Sequence, residues 1–180
     1  MEGCNKELIF HAEKTAEALI DKLKTLSLKL ALAESCTAGL VSSLLGNIPG
    51  ASAVLWGSFV CYAREAKVSM LGIDNNKLLA HGLVNRETVR AMADGALKKS
   101  GADVSAAVTG LAGPQGDGSK TKVGTVWVAA ARRGGVTVER EFFFEGGAGE
   151  LPAETARNEI RLKAAIAVLE TTLNLAACDI

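Results

Sequence analysis

Between Lys6 and Leu26 the apolar residues Leu8, Ile9, Ala12, Ala16, Leu19, Ile20 and Leu23 recur three and four positions apart. That spacing lines one face of a helix, so the pattern predicts an amphipathic helix over residues 6–26. The mostly apolar run at 28–33 is too short for a second helix and reads as a buried strand. Ser35-Cys36-Thr37-Ala38-Gly39 then has the look of a tight turn into a helix over 40–45, which Gly46-Asn47 and Pro49-Gly50 close. Residues 54–62 predict a second strand and residues 63–71 have helical composition. Asp74 and Asn85 stand at N-cap positions, and Asn85 opens a helix running to Lys99 with Gly101 as its C-cap.

The second half changes period. Residues 104–108 form a continuous apolar run, ending in Thr109-Gly110 and a Gly/Pro-rich loop over 111–119, as a central strand delivering a loop would. Residues 123–132 and 136–144 predict a hairpin across Gly134-Gly135. A loop over 146–152 leads into a last helix over 153–173. Strands and helices alternate early and a hairpin comes late, so the expected fold class is α/β with a mixed sheet covered by helices on both faces. No internal repeat is visible, and the loop at 146–152 is too short to separate two domains. Residues 1–180 therefore read as a single domain.

Composition narrows the function classes. Apolar residues make up 48% of the chain and aromatics only 4%, so the core must be built from Ala, Val, Leu and Ile. Basic and acidic residues balance at 20 each without a like-charged block, which disfavours nucleic acid as a partner. Cys4, Cys36, Cys61 and Cys178 form no CxxC pair, and only His11 and His81 could complete a metal site, so no metal is expected. Charged residues interrupt the N-terminus, and no stretch approaches about 18 uninterrupted apolar residues, so a cytoplasmic protein with no membrane partner is expected.

Three places carry candidate chemistry. Glu34-Ser35-Cys36-Thr37 falls between strand and helix, where free N–H groups favour an anion and could hold an oxyanion beside a serine nucleophile. Ser35 or Thr37 equally fits an N-cap. Neither histidine has the setting of a Ser-His-Asp base, whereas Lys67, between Ala66 and Val68, could serve if burial lowers its pKa. Tyr62, the only tyrosine, could relay a proton between Ser35 and Lys67. A surface lysine and a core tyrosine are the alternatives. In the run from Thr109 to Gly118, glycines could bring main-chain N–H groups against a phosphate or a ring, although the composition also suits any flexible turn. It fits neither a Walker loop nor a dinucleotide fingerprint.

Taken together, several spaced segments resemble one family over nearly the whole chain. They are Ala33-Glu34-Ser35-Cys36-Thr37, Pro49-Gly50-Ala51-Ser52, Tyr62 with Ala66-Lys67, Leu71-Gly72, Thr109 to Pro114, and Val123-Gly124-Thr125-Val126. The resemblance is to the C-terminal domain of CinA-type competence/damage-inducible proteins, a domain that also occurs alone as nicotinamide-mononucleotide amidohydrolase. It implies a three-layer α/β/α sandwich, hydrolysis of nicotinamide mononucleotide to nicotinate mononucleotide and ammonia, no required metal or other cofactor, and a homo-oligomer. It also implies catalytic roles for Ser35, Lys67 and Tyr62. Thr37, Thr109, Gly110, Ala112 and Gly113 are implied as substrate contacts, and Arg157, in Arg157-Asn158-Glu159-Ile160-Arg161, as the phosphate partner.

The chain departs from the family pattern at Ala38, where glycine is usual, at Asn85, where a capping serine is common, and in the longer segment from Gly146 to Ala156. The last feature suits an alternative from a different class, a non-catalytic ligand-binding or protein-interaction module linked to competence or DNA damage.

Overall fold

The computed structural model describes residues 2–145 and 152–178. Its elements are α1 (Glu2–Thr25), β1 (Leu30–Glu34), α2 (Leu40–Gly46), β2 (Leu55–Val60), α3 (Arg64–Leu71), α4 (Asn75–His81), α5 (Arg86–Ser100), β3 (Val104–Gly110), β4 (Thr125–Arg132), β5 (Thr137–Phe143) and α6 (Ala153–Ala177). The strands form one sheet in the order β2-β1-β3-β4-β5. β1 runs parallel to both β2 and β3, and the β3–β4 and β4–β5 pairs are antiparallel. This is the mixed sheet expected from early alternation and a late hairpin.

Period-2 alternation along the strands divides the core in two. Leu30 and Leu32 of β1, Val104, Ala106 and Val108 of β3, and Val126, Val128 and Ala130 of β4 join residues of α1, α2 and α6 in one cluster. Their neighbours Ala33, Ala107, Ala129 and Ala131 turn the other way and join residues of α3, α4 and α5. Three layers result, with alanines at the centre of one face of the sheet, flanked by Phe59 and Trp127, and mostly branched residues on the other. The alanine face lets α5 lie close. Buried Ser105, in the same strand, donates its hydroxyl to the Ala93 carbonyl of α5 at 2.8 Å.

Several boundaries differ from the sequence reading for local reasons. A 3-10 turn, Ala51–Ala53, precedes β2, and the Leu30 N–H bonds the Val54 carbonyl at 2.8 Å before the strand proper begins at Leu55. β3 continues through Thr109 to Gly110, because β4 still pairs there, Gly110 opposite Val126. The last helix runs on to Ala177, since Leu175 and Ala176 still bury apolar surface against the core. Asp74 and Asn85 do cap their helices, accepting from Asn76 N and Thr88 N at 2.8 Å each. Of the loop expected over 146–152, residues 146–151 lie outside the described part. No described helix is long and apolar enough to cross a membrane.

The packing of α5 has a direct test. A Cβ on Gly95 would sit 2.7 Å from the Leu71 carbonyl oxygen and 2.9 Å from Leu71 Cβ, so α3 and α5 touch there backbone to backbone. Gly95→Ala should gain helix propensity yet lower stability by about 1–3 kcal/mol, as overpacking does. Urea unfolding of the two proteins measures it, and a more stable variant would mean that the helices do not meet at this point.

Candidate active site

Because β2 and β3 flank β1 on opposite sides, the chain leaves β1 in one direction and later crosses to the other. In open α/β sheets that reversal leaves a crevice beyond the carboxyl ends of the strands. Ser35 follows β1, Cys61 and Tyr62 follow β2, and residues 111–113 follow β3. A cavity of about 240 Å³ opens among them, lined by Ser35, Tyr62, Lys67, Thr109, Gly110, Ala112, Gly113 and Arg157, with Asp117 on the loop beyond.

The turn that carries Ser35 is held from both sides. Glu34, the last residue of an otherwise apolar strand, is 1% exposed, and a buried carboxylate is tolerated only when fully hydrogen-bonded. It accepts from the N–H groups of Gly39, Val41 and Ser42 at 2.9, 3.1 and 2.9 Å, and from the Ser58 hydroxyl at 3.1 Å. Glu34 thus occupies the N-terminus of α2, so the free helix end expected to hold an oxyanion is already filled. Neither Ser35 nor Thr37 caps the helix. Its N-cap is Gly39, without a side-chain cap bond. From the other side Arg161 of α6 donates to the Cys36 carbonyl at 3.2 Å and the Thr37 carbonyl at 2.8 Å. Between these clamps, the N–H groups of Cys36 and Thr37 have no hydrogen-bond acceptor among the described residues. The turn requires left-handed backbone at Ala38 (φ 51°) and Gly39 (φ 94°), which explains why glycine suits position 38.

Lys67, expected on the surface from its residue type alone, is fully buried. It lies in the second turn of α3, and its Nζ is 2.9 Å from Ser35 Oγ, 2.8 Å from the Cys61 carbonyl and 3.2 Å from the Tyr62 carbonyl. No carboxylate forms an ion pair with it among the described residues. Burial therefore pushes its pKa below the usual lysine value. In the neutral amine, two hydrogens serve the two carbonyls and the lone pair is left for the Ser35 hydroxyl. Burial has the opposite sense for the nearby thiols, holding Cys36 up to about 12 and Cys61 up to about 11. Neither is a thiolate near neutrality, so the serine is the nucleophile this arrangement favours.

The remaining expected residues divide. The Tyr62 side chain is 54% exposed, and its hydroxyl accepts from Arg157 at 3.0 Å. It does not bridge Ser35 and Lys67, which meet directly. The main chain of Tyr62, not its phenol, touches the lysine. Arg157 also donates to the Gly113 carbonyl and pairs with no carboxylate among the described residues. Thr109 lines the cavity and donates its hydroxyl to the Leu83 carbonyl at 2.7 Å, which leaves its oxygen as an acceptor rather than a donor toward a ligand. Thr37 does not line the cavity at all, and its Oγ1 is buried without a partner among the described residues.

Ala112 lines the cavity, as do both glycines, but the glycines are needed for packing. A Cβ would sit 2.8 Å from the Thr125 carbonyl oxygen at Gly110, and 2.7 Å from Val123 Cγ1 at Gly113. Sequence reasoning gave no role to Glu34, and Arg161 entered only as the end of the motif that carries Arg157. A lone acid ending an apolar strand, just before a turn into a helix, was the signal for the first. Among the described residues no three His, Cys, Asp or Glu side chains gather as a metal site.

Comparison with known proteins places these features in a family. The model for the CinA C-terminal domain matches residues 12–174. A CinA-like protein of Akkermansia muciniphila is 49% identical over 121 residues, covering 67% of this chain and 29% of that protein. A CinA-like protein of Thermotoga maritima is 37% identical over 158 residues, covering 88% and 36%. The chain thus spans about a third of the length of these curated relatives. Among solved structures, the competence/damage inducible protein CihA from Agrobacterium tumefaciens superposes with a TM-score of 0.81 at 39% identity, covering 89% of this chain and 92% of that one. The competence damage-inducible protein A from Klebsiella pneumoniae gives 0.83 at 29% identity, covering 93% and 99%.

The state of Lys67 can be read from stability. Between its lowered folded pKa and the ordinary 10.5, the unfolded chain binds a proton that the folded chain does not, so raising the pH stabilises the fold. The parent should gain stability relative to Lys67→Met as pH rises through that window. Paired denaturation curves from about pH 6 to about pH 10 test this linkage. A constant difference would mean that the lysine titrates as it does in water.

Proposed function

The chain belongs to the CinA C-terminal domain family, and on that premise we propose that it hydrolyses the carboxamide of nicotinamide mononucleotide, yielding nicotinate mononucleotide and ammonia. The observation that carries the reading is the buried, carboxylate-free amine of Lys67 at 2.9 Å from Ser35 Oγ. A serine is a weak nucleophile until a base takes its proton, and a desolvated lysine is one of the few side chains that can do so near neutrality without histidine.

Ser35 Oγ attacks the carboxamide carbon as Lys67 accepts the hydroxyl proton. The carbonyl oxygen gains negative charge, for which the N–H groups of Cys36 and Thr37 are the unoccupied donors in the turn. Lys67 passes the proton to the departing nitrogen, the C–N bond breaks, and ammonia leaves behind an ester on Ser35. A water molecule, giving its proton to the same amine, then attacks the ester carbon; the acyl C–O bond to Ser35 breaks, Lys67 returns the proton to Oγ, and the acid leaves and ionises to the carboxylate. The two carbonyls of Cys61 and Tyr62 keep Nζ in place whether it carries the proton or not. Arg157, whose charge has no carboxylate to meet among the described residues, supplies the cation for the phosphate, and the Tyr62 hydroxyl orients it.

Two measurements test the reading. Ammonia release from nicotinamide mononucleotide should be abolished by Ser35→Ala with the fold retained, because a covalent path is deleted. Residual activity within tenfold of the parent would rule out the serine mechanism, and binding without any ammonia from the parent would favour a ligand-binding module. For Arg157, a charge-assisted bond to phosphate is worth about 1.5–3 kcal/mol, so Arg157→Ala should raise KM roughly tenfold or more with a smaller change in kcat. The dephosphorylated riboside should be indifferent to that change, and an equal loss on both substrates would assign Arg157 to the fold.

A further inference from the structure

Once Lys67 is neutral, the described residues that line the cavity include one cation and one anion, Arg157 and Asp117. Asp117 is the only carboxylate among the described lining residues, and it stands exposed on the loop that follows β3. Its Oδ1 accepts the Ser119 N–H at 3.0 Å, which sets the direction of the carboxylate, and hydrogen bonding from Ser119, its hydroxyl first and its N–H second, holds the pKa below the usual aspartate value. Beyond Ser119 the carboxylate has no hydrogen-bond partner and no ion pair among the described residues, so no cation of the protein meets its charge. Gly116 and Gly118 flank it in open space, where an added Cβ would meet nothing within 4 Å. A ligand therefore meets two unpaired charges of opposite sign along one wall system, beside a nucleophile that wants an amide carbon.

Resting on the hydrolase reading above, we propose that Asp117 is a specificity-determining residue that selects amides borne on a positively charged ring. A nicotinamide nucleotide is zwitterionic, with a pyridinium nitrogen on the ring that carries the amide and a phosphate at the far end. Arg157 answers the phosphate and Asp117 the ring. The 1,4-dihydro form of the same nucleotide has an identical ribose and phosphate but a neutral ring, so it lacks the feature that Asp117 reads. A carboxylate that served instead to accept the ribose hydroxyls would treat both forms alike.

Turnover is a poor readout here, because the neutral dihydro ring donates electrons into its amide and slows attack on any enzyme. Binding is the clean one. Calorimetric titration of the Ser35→Ala protein with nicotinamide mononucleotide and with its 1,4-dihydro form should show roughly two- to fivefold tighter binding of the charged ring, the range expected for an ion pair in an open cleft. Added salt should narrow that ratio. Introducing Asp117→Asn should weaken the charged form until the two bind alike, leaving the dihydro form unchanged.

Equal weakening of both forms would assign Asp117 to the ribose or the loop. No change in either, or no binding of either by the Asp117 protein, would overturn the proposal. The hydrolase reading fails separately: a parent that releases no ammonia while keeping the preference for the charged ring loses its reaction but not its selectivity.

Discussion

The carboxylate of Glu34, sealed at the end of the central parallel strands, accepts three main-chain N–H bonds from the start of α2 and a fourth bond from Ser58. Exposing such a group to a dry interior without partners would be prohibitive, so the fold must bring the α2 N-terminus and β2 to it. That requirement dictates the course of the turn from residue 35 to 39, including two left-handed residues in succession. Ser35 is consequently presented on a short, strained connection whose own helix end is taken. Arg161 closes the opposite side, so Ser35 sits between a buried carboxyl group and a guanidinium that are both engaged with the protein's own main chain.

Desolvation does the remaining chemistry. Lys67 reaches Ser35 through an environment with two carbonyls and no carboxylate, which favours the amine over the ammonium. The same dryness keeps Cys36 and Cys61 protonated, which removes two thiols as competitors although one is the serine's immediate neighbour. Charge that remains in the cavity lies at its rim, on Arg157 and Asp117, where a ligand rather than the protein can answer it. On the proposed hydrolase reading, core and rim thus have different duties: the first sets which atom attacks, the second which molecule is held.

The fold makes this possible through unequal sheet faces. Alanines at 33, 107, 129 and 131 let α5 settle onto one face, while leucines and valines fill the space under α1 and α6 on the other. α6 in particular spans the buried layer and delivers Arg157 and Arg161 at its start to two different places. One goes to Gly113 and the Tyr62 hydroxyl, the other to the Ser35 turn.

Much of this was legible in the residues themselves. The helical stripe from Leu8 to Leu23, the caps at Asp74, Asn85 and Gly101, and the hairpin turn at Gly134-Gly135 depend on residues a few positions apart, so chain order alone determines them. The motif around Ser35 and the lysine following the second strand were also visible as a candidate nucleophile and base, but the burial on which that base depends was not. Lys67 looks like a surface residue until β1, β2 and α3 assemble around it and join positions 32 apart. Tyr62 seemed a relay until Arg157, 95 residues on, claimed its hydroxyl, and the turn lacked its second clamp until Arg161 arrived from 125 residues away. Local periodicity is written in near neighbours, whereas protonation states and hydrogen-bond partners are set by burial and by groups that only the closed fold brings within 3 Å or so of one another.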